Sequence, residues 1–152
     1  MFSFDASPTL YWLLGYVLAL GVVWLARSER CPAALFLIVS LLLLGMMRLP
    51  VVAFNRELNA DESQMISHAI TLFYDPVYWR SVDGTTIGPL DIYWLVVPRL
   101  FGIPATYTSA RLMGFLVNGI ALLFFYQTLR LWFSDKAARI GLLLPLFFLA
   151  FT

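Results

Sequence analysis

Long apolar runs separated by short polar segments dominate the chain. Four of them, over 10–26, 33–54, 112–129 and 137–152, have or nearly have the roughly 20 apolar residues that a helix needs to cross a bilayer. Because no water reaches the bilayer core, the backbone of such a run must satisfy its own hydrogen bonds as a helix. The pattern predicts an all-α, multi-pass membrane protein with about four spans.

The first part of segment 55–108, which lies between the second and third runs, is predicted to form a helix at the membrane surface. Asn59 is a candidate N-cap with Glu62 three residues later, and Asp75-Pro76 ends the apolar periodicity. A stripe of this kind, with polar residues on the other faces, is typical of a helix lying in the membrane interface. The stripe consists of Met65, Ile66, Ala69, Ile70 and Phe73.

A second apolar stretch follows over 89–103. It contains Asp91, Pro98 and Arg99, which make it a poor membrane span. We expect another interfacial helix here, so that the segment 55–108 holds two of them.

Charged residues lie mostly between the apolar runs and predict the orientation. The loops 27–31 and 130–137 both carry a basic excess, which places them in the cytoplasm by the positive-inside rule. Two spans separate these loops, so the span count also requires them to share a side. The N-terminus and the segment 55–108 are then expected outside the plasma (inner) membrane.

The amino-acid composition argues against several kinds of partner and site. Only 12% of the residues are charged, about half of the usual share. The net charge of +1 says nothing about nucleic acid, and the sequence has no basic stripe, so we expect no nucleic acid as a partner. Cys31 is the only cysteine, which excludes an intrachain disulfide and a cysteine-based metal site. The chain stops within an apolar run, so residues 1–152 are expected to be the N-terminal part of a polytopic membrane domain, and missing C-terminal helices or a membrane protein partner are expected beside them.

The adjacent acids Asp61 and Glu62 are candidate catalytic residues. A carboxylate outside the membrane can take a proton from an acceptor hydroxyl. It can also hold a divalent metal ion against a phosphate, with His68 two helical turns later as a second ligand. The alternative is that both acids only favour the first turn of a helix, where the macrodipole stabilises negative charge. His68 is equally compatible with a plain surface position.

Arginines and aromatic residues around this segment are candidate substrate contacts. Arg80, Arg99 and Arg111 could bind a lipid phosphate bidentately, with Asp83 in the intervening turn. The pair Tyr93-Trp94 is most simply an interfacial aromatic belt, although both rings could stack on a sugar or an isoprenoid tail.

Taken in order, these features resemble a known family. An apolar span is followed by Asp61-Glu62, by an aspartate-rich turn, by Gly88-Pro89-Leu90-Asp91-Ile92-Tyr93-Trp94-Leu95, by Phe101-Gly102 and by Ala110-Arg111-Leu112. The order resembles the start of the dolichyl-phosphate-mannose-protein mannosyltransferase-like family, which includes bacterial aminoarabinose transferases and has the membrane-embedded C-type fold. The resemblance covers residues 53–118.

The resemblance implies a glycosyltransferase that uses a polyprenyl-phosphate sugar as donor. Asp61 would be the catalytic base or a metal-linked carboxylate, Glu62 would support it, and Arg111 would lie near the donor phosphate. A divalent metal ion is the cofactor that this chemistry allows. The acceptor would be a lipid, a glycan or a protein at the outer face of the membrane.

Two departures weaken the likeness to the aminoarabinose branch. Ile87-Gly88-Pro89-Leu90 stands where relatives commonly have a Lys-Pro-Pro-Leu run, and the span 10–26 is additional. The main alternative is a non-catalytic accessory subunit or a degenerate remnant of such an enzyme. A lipid-linked-sugar flippase is less favoured, because its charges should lie inside the spans, whereas these acids lie in loops.

Overall fold

A computed structural model describes residues 8–82 and 88–151 of the chain. Every regular element in these two ranges is a helix, which confirms the all-α prediction. The chain divides into two compact units: a terminal unit, Met1–Pro50 with Val117–Thr152, and a central unit, Val51–Leu116. In chain order the helices are α1 (Pro8–Arg27), α2 (Ala33–Ala53), α3 (Ala60–Tyr74), α4 (Tyr78–Ser81), α5 (Pro89–Leu100), α6 (Tyr107–Trp132) and α7 (Asp135–Phe151).

Three of these helices, α1, α2 and α6, are long and apolar enough to cross a membrane. They coincide with the predicted runs 10–26, 33–54 and 112–129, although α2 ends one residue earlier, and α1 and α6 extend beyond their runs on both sides. The protein is therefore membrane-embedded. Helix α7 has 17 described residues, fewer than the roughly 20 of a full span, and a fourth span near 137–152 stays a prediction.

In the terminal unit α1 packs against α7. The buried face of α7 repeats at helical spacing, while large apolar side chains on other faces of the unit stay exposed. A water-soluble protein rarely leaves so much apolar surface uncovered, whereas lipid chains accept it. The buried α7 residues include Ala138, Leu142, Leu146 and Ala150, and the exposed side chains include Leu20, Trp24 and Leu144.

A side chain compensates for the proline within α2. Pro50 has no N–H to donate to the carbonyl four residues earlier, that of Met46. The hydroxyl of Tyr11 in α1 lies 3.1 Å from the Met46 carbonyl and 3.2 Å from that of Met47. Because a membrane supplies no water to an orphaned carbonyl, this side-chain donor makes Pro50 tolerable in a spanning helix.

Charged residues collect at one end of the terminal unit. Lys136 pairs with Glu29 at 2.9 Å, and the buried guanidinium of Arg139 donates to the Ser28 carbonyl at 3.3 Å and pairs with Asp135. The loops 27–31 and 130–137 therefore lie at the same end, as their charges predicted. The side of the membrane that this end faces stays a prediction.

In the central unit α3 packs against α5, and α4 closes one end of their interface. Helix α3 begins and ends where its cap residues predicted. Its buried face differs from the predicted stripe, since Leu72 is buried and Ile70 is exposed. The short helix α4 was not predicted. The core consists of Ala69, Leu72, Tyr78, Val82 and Ile92, with Met65, Leu95 and Val96 packed around it.

Candidate functional site

The start of α3 carries the candidate acids, and its cap forms as predicted. The side chain of Asn59 accepts a hydrogen bond from the Glu62 N–H at 2.9 Å. The Glu62 carboxylate in turn accepts from the Leu58 N–H at 3.4 Å. Asp61 and Glu62 therefore occupy the first turn of α3, where the helix dipole stabilises both negative charges.

Glu62 forms a bidentate ion pair with Arg111 from the start of α6. Nε of Arg111 lies 2.6 Å from Oε1 of Glu62, and a terminal nitrogen lies 2.6 Å from Oε2. The side chain of Arg111 is 7% exposed and that of Glu62 is 19% exposed, so the pair is largely screened from water. Parallel N–H···O bonds between a guanidinium and a carboxylate are among the strongest polar contacts in proteins.

Arg111 also binds the backbone at the end of the second apolar run and just after it. One terminal nitrogen donates to the carbonyls of Val51, at 2.9 Å, and Phe54, and the other donates to that of Arg56 at 2.7 Å. A guanidinium has five N–H donors, and here all five have a protein acceptor. Arg111 thus joins the end of α2, the start of α3 and the start of α6 within the central unit.

The start of α6 is capped by a reciprocal pair that sequence reasoning missed. The Thr106 N–H donates to the Ser109 hydroxyl at 2.9 Å, and the Ser109 N–H donates to the Thr106 hydroxyl at 3.2 Å. This is a capping box with serine in place of the usual Glu or Gln. The side chain of Asn55 accepts from the Thr108 N–H at 3.3 Å, and the hydroxyls of Tyr107 and Ser63 are 2.9 Å apart. These bonds fix the backbone on which Arg111 sits.

Asp61 contrasts with Glu62. Its side chain is exposed, and within the described residues it has no hydrogen-bond or ion-pair partner. The Asp61 carboxylate therefore keeps its lone pairs available on a helix turn that the neighbouring Glu62 holds in place. A general base needs this availability, because the lone pair that accepts the proton must not already be engaged.

Arg111 also lowers the pKa of Glu62. The hydrogen bonds from the guanidinium are the largest cause, and partial burial opposes them. Glu62 thus stays ionised to lower pH than an ordinary glutamate. Such a carboxylate is suited to hold a structure together rather than to accept a proton at neutral pH.

The other predicted substrate contacts lie at the opposite end of α3. Arg80 forms a bidentate pair with Asp75, and the Tyr93 hydroxyl donates to the Pro76 carbonyl at 2.9 Å. At 1.5 Å per residue, the 14 residues from Asp61 to Asp75 span about 21 Å of helix. The structure therefore does not bring Arg80 or the Tyr93 hydroxyl to Asp61.

Three predicted site residues remain: Trp94, Asp83 and His68. Trp94 is exposed on α5, in keeping with either a belt or a stacking role. Asp83 lies outside the described residues. His68 is half-buried two turns after Asp61 on α3, and the described ranges contain no group of three or more His, Cys, Asp or Glu residues that could hold a metal ion. A metal site at Asp61 and His68 stays a prediction.

The pairing of Glu62 with Arg111 was the main feature that sequence reasoning missed. Both residues were singled out, but 49 positions separate them and no local pattern links them. The available signal was an arginine at the mouth of an apolar run, which requires an anionic partner if folding buries it. Comparisons with protein-family models, with curated proteins and with solved structures find no match to this chain.

Proposed function

We propose that this chain is the N-terminal part of a glycosyltransferase that moves a sugar from a polyprenyl-phosphate donor to a lipid, glycan or protein acceptor. The sequence resemblance over residues 53–118 suggests the chemistry. The supporting structural observation is the difference between two neighbours at the start of α3. Asp61 is exposed and has no partner in the part of the chain that the structure describes, whereas Glu62 is paired with Arg111.

In this proposal Asp61 accepts the proton of the acceptor hydroxyl as that oxygen attacks the anomeric carbon of the donor. The bond from that carbon to the polyprenyl phosphate breaks, and the phosphate leaves with the electron pair. Glu62 and Arg111 position Asp61 by fixing the first turn of α3. A direct contact of Arg111 with the donor phosphate would require the phosphate to displace acceptors that Arg111 already has.

In this proposal a divalent metal ion would bind between Asp61 and the phosphate of the donor. No described residue occupies the carboxylate oxygens of Asp61, and a phosphate of the donor would complete the oxygen ligands that Mg²⁺ or Mn²⁺ prefers. His68 is the further candidate ligand on α3. Chelation with EDTA followed by return of each ion tests this role, since activity that survives chelation excludes it.

The topology belongs to the proposal as well. We propose four spans with α7 as the fourth, the N-terminus and the segment 55–108 outside the inner membrane, and α3 and α5 at its surface. The loops 27–31 and 130–137, which share one end of the terminal unit, are then cytoplasmic. Protease protection of an N-terminal tag in intact spheroplasts would contradict this orientation.

Substitution of Asp61 tests the activity. Asp61→Asn in the complete protein should lower sugar transfer from polyprenyl-phosphate hexoses and pentoses by about 10²- to 10⁴-fold, the usual contribution of a general base. Asp61 is exposed and has no partner among the described residues, so membrane insertion should not change. The unfolding temperature should fall only slightly, through the loss of a helix-dipole interaction of about 0.3–1 kcal/mol. Ser67→Ala, another exposed position on α3, is the matched control.

Full activity of Asp61→Asn would remove this residue from the mechanism. If the wild-type complete protein transfers none of these sugars, the accessory-subunit alternative becomes the better account.

A further inference from the structure

We propose that the corner at the end of α5 binds the membrane surface, with Arg99 on the phosphate of an anionic phospholipid. The corner consists of residues 99–103 together with Tyr74. This inference rests on the proposed position of α5 at the membrane surface and not on the sugar-transfer proposal.

The corner exposes large apolar side chains. Phe101 is 78% exposed and Leu100 is 68% exposed, and Ile103 is also exposed. The ring of Tyr74 beside them is 73% exposed. Aromatic and aliphatic side chains in this arrangement are favoured at the boundary between headgroups and acyl chains.

The backbone of the corner is internally satisfied, which suits it to an environment with little water. The Ile103 N–H donates to the Pro98 carbonyl and the Gly102 N–H donates to the Arg99 carbonyl, both at 3.0 Å. Gly102 has a φ of +75°, a conformation that glycine adopts without strain. This is a Schellman ending, which satisfies carbonyls at the end of α5 while turning the apolar side chains outward.

Arg99 supplies a positive charge that lacks an acidic partner in the described part of the chain. Its guanidinium donates to the Tyr74 hydroxyl at 3.1 Å and lies over the Phe73 ring at 4.8 Å. Its Nε atom is buried without a hydrogen-bond acceptor. Rings held around the guanidinium restrict its motion but do not neutralise it, so a phosphate oxygen is the complementary ligand for its outer N–H groups.

Arg80, the other arginine of this end of the unit, differs in this respect. It is paired with both oxygens of Asp75, and its charge is therefore already balanced. Charge complementarity thus selects Arg99 rather than Arg80 as the phosphate ligand. The two arginines provide a matched pair for testing.

The depth of the corner is measured first, on the full chain in nanodiscs. Phe101→Cys in a Cys31→Ser background carries an environment-sensitive fluorophore, and Ser67→Cys carries the same label as the exposed control. We expect brominated acyl chains to quench the label at 101 at least twofold more than the label at 67, and aqueous iodide to show the reverse. Equal iodide quenching at both positions would overturn the proposal. So would shielding of position 101 from both quenchers, which would indicate a protein partner instead.

The charge is measured second, with a fluorescent phosphatidylglycerol in phosphatidylcholine nanodiscs. Arg99→Gln should weaken its association about fivefold, the contribution of one basic residue near a membrane surface. Arg99→Lys should retain most of it, and Arg80→Gln should leave it unchanged. Excess inorganic phosphate should not displace the lipid, because the apolar contacts at Phe101 are absent from that competitor. Equal association of the wild type and Arg99→Gln, or displacement by phosphate, would refute the lipid assignment.

Discussion

Replacement of Arg111 by methionine tests whether its contacts hold the start of α3 in place. The substitution removes five N–H donors and a positive charge while keeping an unbranched apolar chain. It leaves the Glu62 carboxylate, which is only 19% exposed, with the Leu58 N–H as its remaining donor. We expect the first turn of α3 to open far more often than in the wild type.

The magnitude follows from burial. Removing one partner of a buried ion pair costs about 3–5 kcal/mol, because the other charge is left without compensation. Glu62 retains some access to water, which places the expected cost near 3 kcal/mol, the lower end of that range. The carbonyls of Val51, Phe54 and Arg56 add little, since all three residues are exposed and water can replace the guanidinium.

Hydrogen-exchange mass spectrometry of the protein in nanodiscs measures this opening. A cost of about 3 kcal/mol corresponds to a roughly hundredfold faster exchange of the hydrogen-bonded amides in 60–66, which begin with that of Glu62. Arg111→Lys keeps the charge but not the planar fork, so exchange should rise only about tenfold. Adding Glu62→Gln to Arg111→Met should restore part of the protection, because no unpaired charge then remains.

Arg80→Met provides the matched control. It breaks an equally bidentate pair, with Asp75, but Arg80 is 64% exposed, and we expect no measurable change in the exchange of 60–66. If Arg111→Met alters exchange there by less than threefold, or if Glu62→Gln fails to rescue it, the positioning role assigned to Arg111 is wrong.

Two further predictions concern the first turns of α3 and α6. The pKa of Glu62 is lower in the folded protein than in the unfolded chain. The ion pair with Arg111 therefore stabilises the fold fully above the ordinary glutamate pKa of about 4.3, and this stabilisation is lost as the pH falls through the lowered pKa. Protection of 60–66 should therefore decline as the pH drops below about 4.3, and a Glu62→Gln protein that shows the same decline would contradict this cause. Thr106→Ala removes half of the capping box of α6 and should lower the free energy of unfolding of its first turn by about 1 kcal/mol, measured by exchange of 107–110. Thr108→Ala is the control, and an equal effect of both substitutions would argue against the box.

Local patterns were sufficient for the long helices and for both ends of α3. Apolar runs of membrane-spanning length predicted α1, α2 and α6 because a bilayer allows such runs only one backbone conformation. The start and end of α3 were also readable, since Asn59 and Asp75 cap a helix through bonds to residues within four positions. Interactions of this range are determined by which residues are adjacent in the sequence.

Amphipathic patterning was less reliable within the central unit. Leu72 rather than Ile70 lies in the core, because the direction from which α5 and α4 approach α3 selects the buried face. Helical spacing restricts the choice to neighbouring faces but does not say where the partner helices lie. The helix α4 itself has only four residues, too few for any periodicity to be seen.

The order of the residues was enough to predict that this protein is helical, that it is embedded in a membrane, and that two acids lie at the start of a helix outside the long apolar runs. Only the tertiary structure distinguished those acids, since it brings Arg111 from 49 residues away to Glu62 and gives Asp61 no partner among residues 8–82 and 88–151. It likewise paired Arg80 with Asp75 while leaving Arg99 among aromatic rings. The physical reason is that an ionised side chain takes its role from the partner that folding places beside it, and that partner is seldom a neighbour in the sequence.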